Sequence, residues 1–239
     1  MAEVPYPDHS EEMRYQIAKY TWLITYLDDL RCKAPEQLES FQRCIIDGTA
    51  ELEGELFQTF RKHLTEFYCL FNTIPANVIV LCGMWFINGC SLEQTPEIQN
   101  MKLTSASASW PYFLRRKTGS SIAYAFMLFP KEVNVDATVY IQVADDMTLY
   151  IDLLNDVLSF YKEYLAGERK NYVYNRAAIE DTLRDIAEEA IQANSRVTQV
   201  LESSGNVCGV NMWRKFVNGY FAFHFTLKRY RLHELVDVE

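Results

Sequence analysis

The stretch Asn155-Asp156-Val157-Leu158-Ser159-Phe160-Tyr161-Lys162-Glu163 decides how the rest of this 239-residue chain is read. Asn155, Ser159 and Glu163 stand at i, i+4 and i+8, so on a helix an amide oxygen, a hydroxyl and a carboxylate share one stripe. Three oxygen ligands in a line suit a hard cation such as Mg²⁺, which takes carboxylates, waters and substrate phosphates rather than an all-protein cage. Lys162 lies beside the stripe, within reach of a phosphate. The segment leading in, Val143 to Leu154, is apolar. A buried helix that turns polar at one end marks the lip of a cavity.

Outward from this helix, which is expected from Tyr140 to about Leu165 with Gly167 past its end, the spacing stays helical. Asp8 or Ser10 caps a first helix that carries Glu11 and Glu12 in its opening turn and runs through Tyr15, Ile17, Trp22, Leu23 and Leu27 to about Lys33. Leu52, Leu56, Phe60, Leu64, Phe67 and Phe71 repeat every three or four residues. Val78 to Phe86, opened by Pro75, is β-branched yet read as helix for want of a partner strand. Thr95-Pro96 starts a short turn or helix. Trp110-Pro111 opens a segment through Leu114 and Arg115 to Phe129, stopped by Pro130. Val133 to Tyr140 is the most strand-like region. Arg176 to Glu202 is a charged amphipathic surface helix, and Asn211 to Thr226 an aromatic one. The expected fold class is all-α, one bundle over residues 1–239 with no interdomain linker.

Composition narrows the function. With 23 basic against 32 acidic residues the net charge is −9, which disfavours a general nucleic-acid binder. A mean hydropathy of −0.15, and a chain read as lacking an apolar run of spanning length, argue against a membrane span. Met1 to Ser10 has no basic region leading into an apolar one, so no signal peptide is expected. The six cysteines form no C-x-x-C pair and read as reduced core thiols. A cytoplasmic location is the default expectation. The histidines His9, His63, His224 and His233 show no ligand spacing, no Ser/His/Asp arrangement is evident, and no glycine-rich phosphate loop occurs.

A second acidic pair, Asp28 and Asp29, ends the apolar, aromatic first helix, where the dipole prefers cations. On its own such a pair is a solvated helix end. It gains meaning beside Asn155–Glu163, because N-D-x-x-S-x-x-x-E resembles the second metal motif of class I terpene cyclases, and the wording here resembles the fungal trichodiene synthase branch. Asp28-Asp29 resembles the family's aspartate-rich motif, Arg115-Arg116-Lys117-Thr118-Gly119 its pyrophosphate-sensing helix break, and Lys228-Arg229-Tyr230-Arg231 its C-terminal Arg-Tyr pair. The four elements follow the family order from Asp28 to Arg231.

The resemblance implies a single-domain helical bundle and a Mg²⁺-dependent sesquiterpene cyclase, a carbon–oxygen lyase acting on farnesyl diphosphate. Asp28, with Asp29 in support, and Asn155, Ser159 and Glu163 would hold three Mg²⁺ ions. Arg115, Lys162, Arg229 and Tyr230 would bind diphosphate, and Gly119 would set its backbone carbonyl beside the reacting carbon. A mutually repelling set of such cations would favour closure on ligand arrival. Aromatic candidates for the hydrocarbon contour are Tyr20, Trp22, Phe86, Tyr220 and Phe223. Thr21, Ile24 and Thr25 lie below Asp28, and Ile151 and Leu154 below Asn155. Two departures stand out: Asp28-Asp29-Leu30-Arg31-Cys32 lacks the later acid of D-D-x-x-D, and the aspartate helix begins by about residue 10, so the bundle is read as shortened at its N-terminus. Open on the sequence are a non-catalytic or degenerate helical isoprenoid binder, and a cyclase for geranylgeranyl or geranyl diphosphate. Chain-elongating prenyltransferases, with two aspartate-rich motifs, are disfavoured. A homodimer is common in the fold.

Overall fold

A computed structural model describes residues 2–30, 35–48, 54–177 and 182–236. Arg31, Cys32, Lys33, Leu52 and residues 178–181, which the sequence reading placed in or beside helices, lie outside these. The elements are α1 (Glu11–Leu30), α2 (Pro35–Asp47), α3 (Glu55–Leu70), α4 (Thr73–Gln94), α5 (Pro96–Gln99), α6 (Trp110–Thr118), α7 (Ser121–Phe126), α8 (Ala137–Tyr140), α9 (Ala144–Leu165), α10 (Tyr172–Ala177), α11 (Leu183–Ser203), α12 (Val207–Thr226) and α13 (His233–Val236). No strand occurs among the described residues, and the fold is all-α as expected.

Ser10 caps α1: its hydroxyl accepts from the Met13 N–H at 3.3 Å, ahead of Glu11 and Glu12. Met13, Ile17, Tyr20, Leu23 and Leu27 then recur on the buried face, while Tyr15, Trp22 and Tyr26 are exposed. The segment before α1 fixes where that helix begins. The Tyr6 hydroxyl donates to the Tyr124 carbonyl at 2.9 Å, His9 Nε2 lies 2.8 Å from the Met127 carbonyl, and Lys215 pairs with Asp8 at 2.7 Å. The segment ahead of α1 is thus tied to α7, to Met127 just after it, and to α12.

The centre of the bundle is α9. Met147, Ile151 and Leu153 are buried along it, and α11 presents Ile186, Ala190, Ala193, Val197 and Leu201 against it. The two alanines let the backbones approach closely. The expected surface helix therefore has a fully buried stripe and is the most extensive packing partner of α9. Its start is a capping box in which Thr182 and Asp185 bond each other's backbone N–H.

Several expectations need correction. Helix α2 was not anticipated, although Leu38, Phe41 and Cys44 on its buried face repeat at helical spacing. The segment Trp110–Phe129, by contrast, holds α6 and α7 with the break at Gly119 and Ser120, where the resemblance implies one. Val133–Tyr140 is not extended: a 3₁₀ turn over Lys131–Val133 ends at Asn134 with φ 49°, and Asp136 caps α8 by accepting from the Thr138 N–H. Without a neighbouring strand its β-branched residues have no pleated surface to fit. Helix α4 is long and apolar enough to cross a membrane, contrary to the reading of the sequence, but half of its most apolar window is buried between α2, α3, α6 and α7, as in a core helix. The described cysteines are free thiols, and Cys69 and Cys208 are exposed rather than in the core.

A close helix contact sets the height of α6. A Cβ on Gly89 of α4 would lie 2.3 Å from the Lys117 carbonyl oxygen, so only glycine lets the end of α6 rest on α4. Lys117 is further held with its Nζ 3.7 Å from the Trp85 ring centroid.

Candidate active site

Helices α1, α6, α9 and α12 enclose one cavity of about 530 Å³, within the usual range of roughly 300–1,000 Å³ for small-molecule sites. Asp28 reaches it from α1, Asn155, Ser159, Lys162 and Glu163 from α9, Arg115 from α6, Gly119 from the helix break, and Arg229 and Tyr230 from the turn after α12. Thus the structure brings together every candidate residue but one. Asp29 is exposed and off the lining, because one residue along a helix turns a side chain by about 100°.

The apolar lining agrees in part. Trp22, Phe86, Tyr220 and Phe223 border the cavity, with Thr21, Ile24 and Thr25. Tyr20 does not: it is fully buried in the core, edge-on to Phe67 and Tyr124. Ile151 and Leu154 also lie off the lining.

Arg115 and Lys162 are each paired with carboxylates, which corrects the expectation of an unpaired cation group for these two. Arg115 Nε lies 2.9 and 2.8 Å from the two Asp156 oxygens, and Nη1 lies 3.0 Å from Asp152 Oδ1. Lys162 Nζ pairs with Glu163 Oε1 at 2.9 Å, and Asn171 donates to Glu163 Oε2 at 2.8 Å. Burial opposes the charge on Arg115, but Asp152 and Asp156 outweigh it and hold the guanidinium protonated well above its ordinary range. Burial pushes both of those carboxyls up, against the pull of Arg115. Burial also raises the Glu163 carboxyl, yet Lys162 and the neighbouring donors prevail, and it lies below the ordinary range.

Two residues bonded to the candidate set, Asp152 and His224, are not among the candidates read from the sequence. Asp152 is 1% exposed, accepts from the Ser121 hydroxyl at 2.6 Å, and anchors Arg115. An acid inside the apolar run before Asn155 was its available signal. His224 on α12 is fully buried: its Nδ1 lies 2.8 Å from the Tyr220 carbonyl and its Nε2 lies 3.2 Å from Asn155 Nδ2. Burial lowers its pKa to about 4, so the ring is neutral near pH 7.

A Cβ on Gly119 would stand 2.2 Å from Arg115 Nη1 and 2.7 Å from Asp152 Oδ1. Glycine at the helix break lets the ion pair pack directly against the backbone.

The oxygen donors facing one another across the cavity fit Mg²⁺. Asp28 offers a carboxylate, Glu163 is held ionised, and the buried Ser159 hydroxyl has no hydrogen bond within ordinary geometry, although it lies near enough to Glu163 to help hold that carboxyl ionised. Among the described residues no three His, Cys, Asp or Glu side chains cluster as a closed metal cage.

The model of the family described as trichodiene synthase (TRI5) matches residues 5–239. The chain is 36% identical to terpene synthase BipA of Cochliobolus sativus, over 95% of this chain and 71% of that protein. It is 33% identical to longiborneol synthase CLM1 of Gibberella zeae (96% and 69%) and 27% identical to an (E)-beta farnesene synthase of Metarhizium brunneum (98% and 72%). The cavity that gathers the Asn155, Ser159 and Glu163 stripe opposite Asp28 therefore sits in a chain that belongs to the trichodiene synthase family of terpene synthases.

Proposed function

We propose that this protein is a Mg²⁺-dependent class I terpene cyclase that ionises farnesyl diphosphate, closes the resulting carbocation to a sesquiterpene and releases diphosphate. The observation that carries the reading is the convergence of Asp28 from α1 with Asn155, Ser159 and Glu163 from α9 on one cavity. Relatives named for longiborneol and farnesene support a sesquiterpene product.

Asp28, Asn155, Ser159 and Glu163 would hold the metal, which when bound neutralises the charge growing on the departing diphosphate. Arg115 contributes a guanidinium already turned to the cavity. Its Nη2 donates to the Asp152 carbonyl and to Asn155 Oδ1, both at a long 3.4 Å, weak bonds that a charged oxyanion would readily replace. Arg229 and Tyr230 supply further donors from the turn that follows α12. As the C–O bond breaks, its electron pair leaves with the diphosphate, and these fixed donors stabilise that charge without reorganising.

The lower walls take the hydrocarbon. Burying fifteen carbons contributes about 12 kcal/mol gross at ~0.8 kcal/mol per carbon, which suffices to hold a folded chain. The faces of Phe86, Tyr220 and Phe223 stabilise cations at about 1–2 kcal/mol each in a dry site. Incubation with farnesyl diphosphate and Mg²⁺ under a hexane overlay, analysed by gas chromatography, tests the reading. A hydrocarbon or terpene alcohol is expected; no product at any Mg²⁺ concentration contradicts it.

A further inference from the structure

Asn155 has a partner that diphosphate binding does not require. His224 Nδ1 lies 2.8 Å from the Tyr220 carbonyl, and a carbonyl oxygen only accepts, so Nδ1 carries the hydrogen. In the neutral ring Nε2 is then a bare acceptor, and the group facing it at 3.2 Å is the Asn155 side-chain amide. Only the NH₂ end of that amide satisfies a bare nitrogen. The opposite orientation would set Oδ1 against a lone pair inside a buried contact and leave both unsatisfied.

The ring cannot swing to accommodate such a reversal. Its centroid is 4.7 Å from that of Tyr220, 4.4 Å from Tyr230 and 5.4 Å from Phe223, so aromatic side chains hold it on several sides. With Nδ2 fixed on His224, the oxygen of the amide points the other way, where Arg115 Nη2 lies 3.4 Å from it and Ser159 and Glu163 continue the stripe.

From this geometry we infer that His224 is a positioning residue: its tautomer, set by the Tyr220 carbonyl, locks the Asn155 amide so that Oδ1 faces the Mg²⁺–diphosphate group. The inference rests on the proposed role of Asn155. It links α12 to α9 by a bond between residues 69 apart, so the orientation of a ligand on one helix depends on a backbone carbonyl of another.

The test is Mg²⁺-dependent binding of inorganic pyrophosphate, followed by titration calorimetry, beside kcat and the Mg²⁺ concentration at half-maximal rate. His224→Phe fills the ring's space without an acceptor, and His224→Gln retains one. His224→Phe is expected to raise the Mg²⁺ requirement about 10- to 100-fold, as loss of a partner that orients a metal ligand does. His224→Gln recovers most of the loss, and His224→Phe adds nothing in an Asn155→Ala background. Wild-type binding by His224→Phe while Asn155→Ala is weakened overturns the inference and spares the site. Wild-type binding by Asn155→Ala removes the site reading itself. Additive losses in the double variant also overturn the inference. Should His224→Phe not fold, nitrogen-15 correlation spectra of the wild-type histidines decide the matter. A Nδ1–H tautomer at His224 is expected, and a Nε2–H tautomer overturns the proposal.

Discussion

The Arg115 guanidinium is bound to Asp156 through Nε at 2.8 and 2.9 Å. Asp152, one turn earlier on α9, takes Nη1 at 3.0 Å, so α6 and α9 share one buried charge network at the cavity wall. The cation proposed to meet diphosphate is thereby held in one orientation, and little of its side-chain entropy would remain to be lost on binding. The same arrangement makes the site a point of fragility, because neither carboxylate tolerates loss of its partner.

Replacing Arg115 by Met is expected to cost about 3–5 kcal/mol of stability, since Asp152 and Asp156 would be left buried without a counter-charge. Arg115→Met with Asp152→Leu and Asp156→Leu regains most of that stability but no activity. Urea unfolding of the two variants separates these effects. Equal stability of Arg115→Met and wild type would show that the network does not bear on the fold.

Gly119→Ala puts a methyl 2.2 Å from Arg115 Nη1. The guanidinium must move, and a loss of about 1–3 kcal/mol typical of overpacking is expected, with kcat falling in parallel. A melting curve and a rate assay check both parts. A variant with unchanged kcat would place the sensor elsewhere.

Mg²⁺ and pyrophosphate together, each in excess, are expected to raise the thermal midpoint. At about 100 times the dissociation constant the stabilisation is ~2.7 kcal/mol, on the order of 5–10 °C for a chain of this size. Chelation of the metal, or Asn155→Ala, removes the shift. Glu163→Gln should lower kcat by about 10²–10³, the scale for loss of one transition-state electrostatic contact.

Acid is expected to destabilise the fold through His9 and His63. Burial lowers both pKa values below the ordinary 6.5, outweighing the hydrogen bonds to the Met127 carbonyl and to Glu66. Between the folded and unfolded values the unfolded chain binds protons that the folded chain does not, so stability rises with pH there. It is complete above about pH 7 and declines as pH falls through 6.5. Burial raises the Glu66 carboxyl, but hydrogen bonds from His63 and Lys19 outweigh it and hold it below its ordinary 4.5, adding a further loss below that pH. Thermal midpoints at pH 7.5 and 5.5, compared between wild type and His9→Gln, isolate this contribution from the opposing one of Asp152 and Asp156, whose raised carboxyls bind protons in the folded chain. On acidification His9→Gln is expected to lose less stability than wild type; an identical change in the two proteins contradicts it.

What the sequence disclosed follows from which contacts are local. Asn155, Ser159 and Glu163 were legible because helix geometry alone aligns residues four apart, and the apolar lead-in signalled burial. Asp28 was legible only through its likeness to a known motif, and the same likeness drew in Asp29, which the turn of the helix sends outward. His224 was not legible: its partner lies on another helix, and a lone histidine among aromatic residues has no spacing to read. Asp152 and the pairing of Arg115 were missed for a similar reason, since an ion pair between α6 and α9 leaves no pattern along either helix. Tyr20 differs from Thr21 by a single position, and only the packing of α1 against α3 decides which of them meets the cavity.

The most direct test of the central claim is a crystal structure with Mn²⁺ in place of Mg²⁺ and bound pyrophosphate, read by anomalous scattering. The account predicts metal peaks bonded to Asp28 on α1 and to Asn155, Ser159 and Glu163 on α9, with pyrophosphate between them and Arg115 on its oxygens. Pyrophosphate bound outside the cavity, or metal held without any of the α9 oxygens, would contradict it.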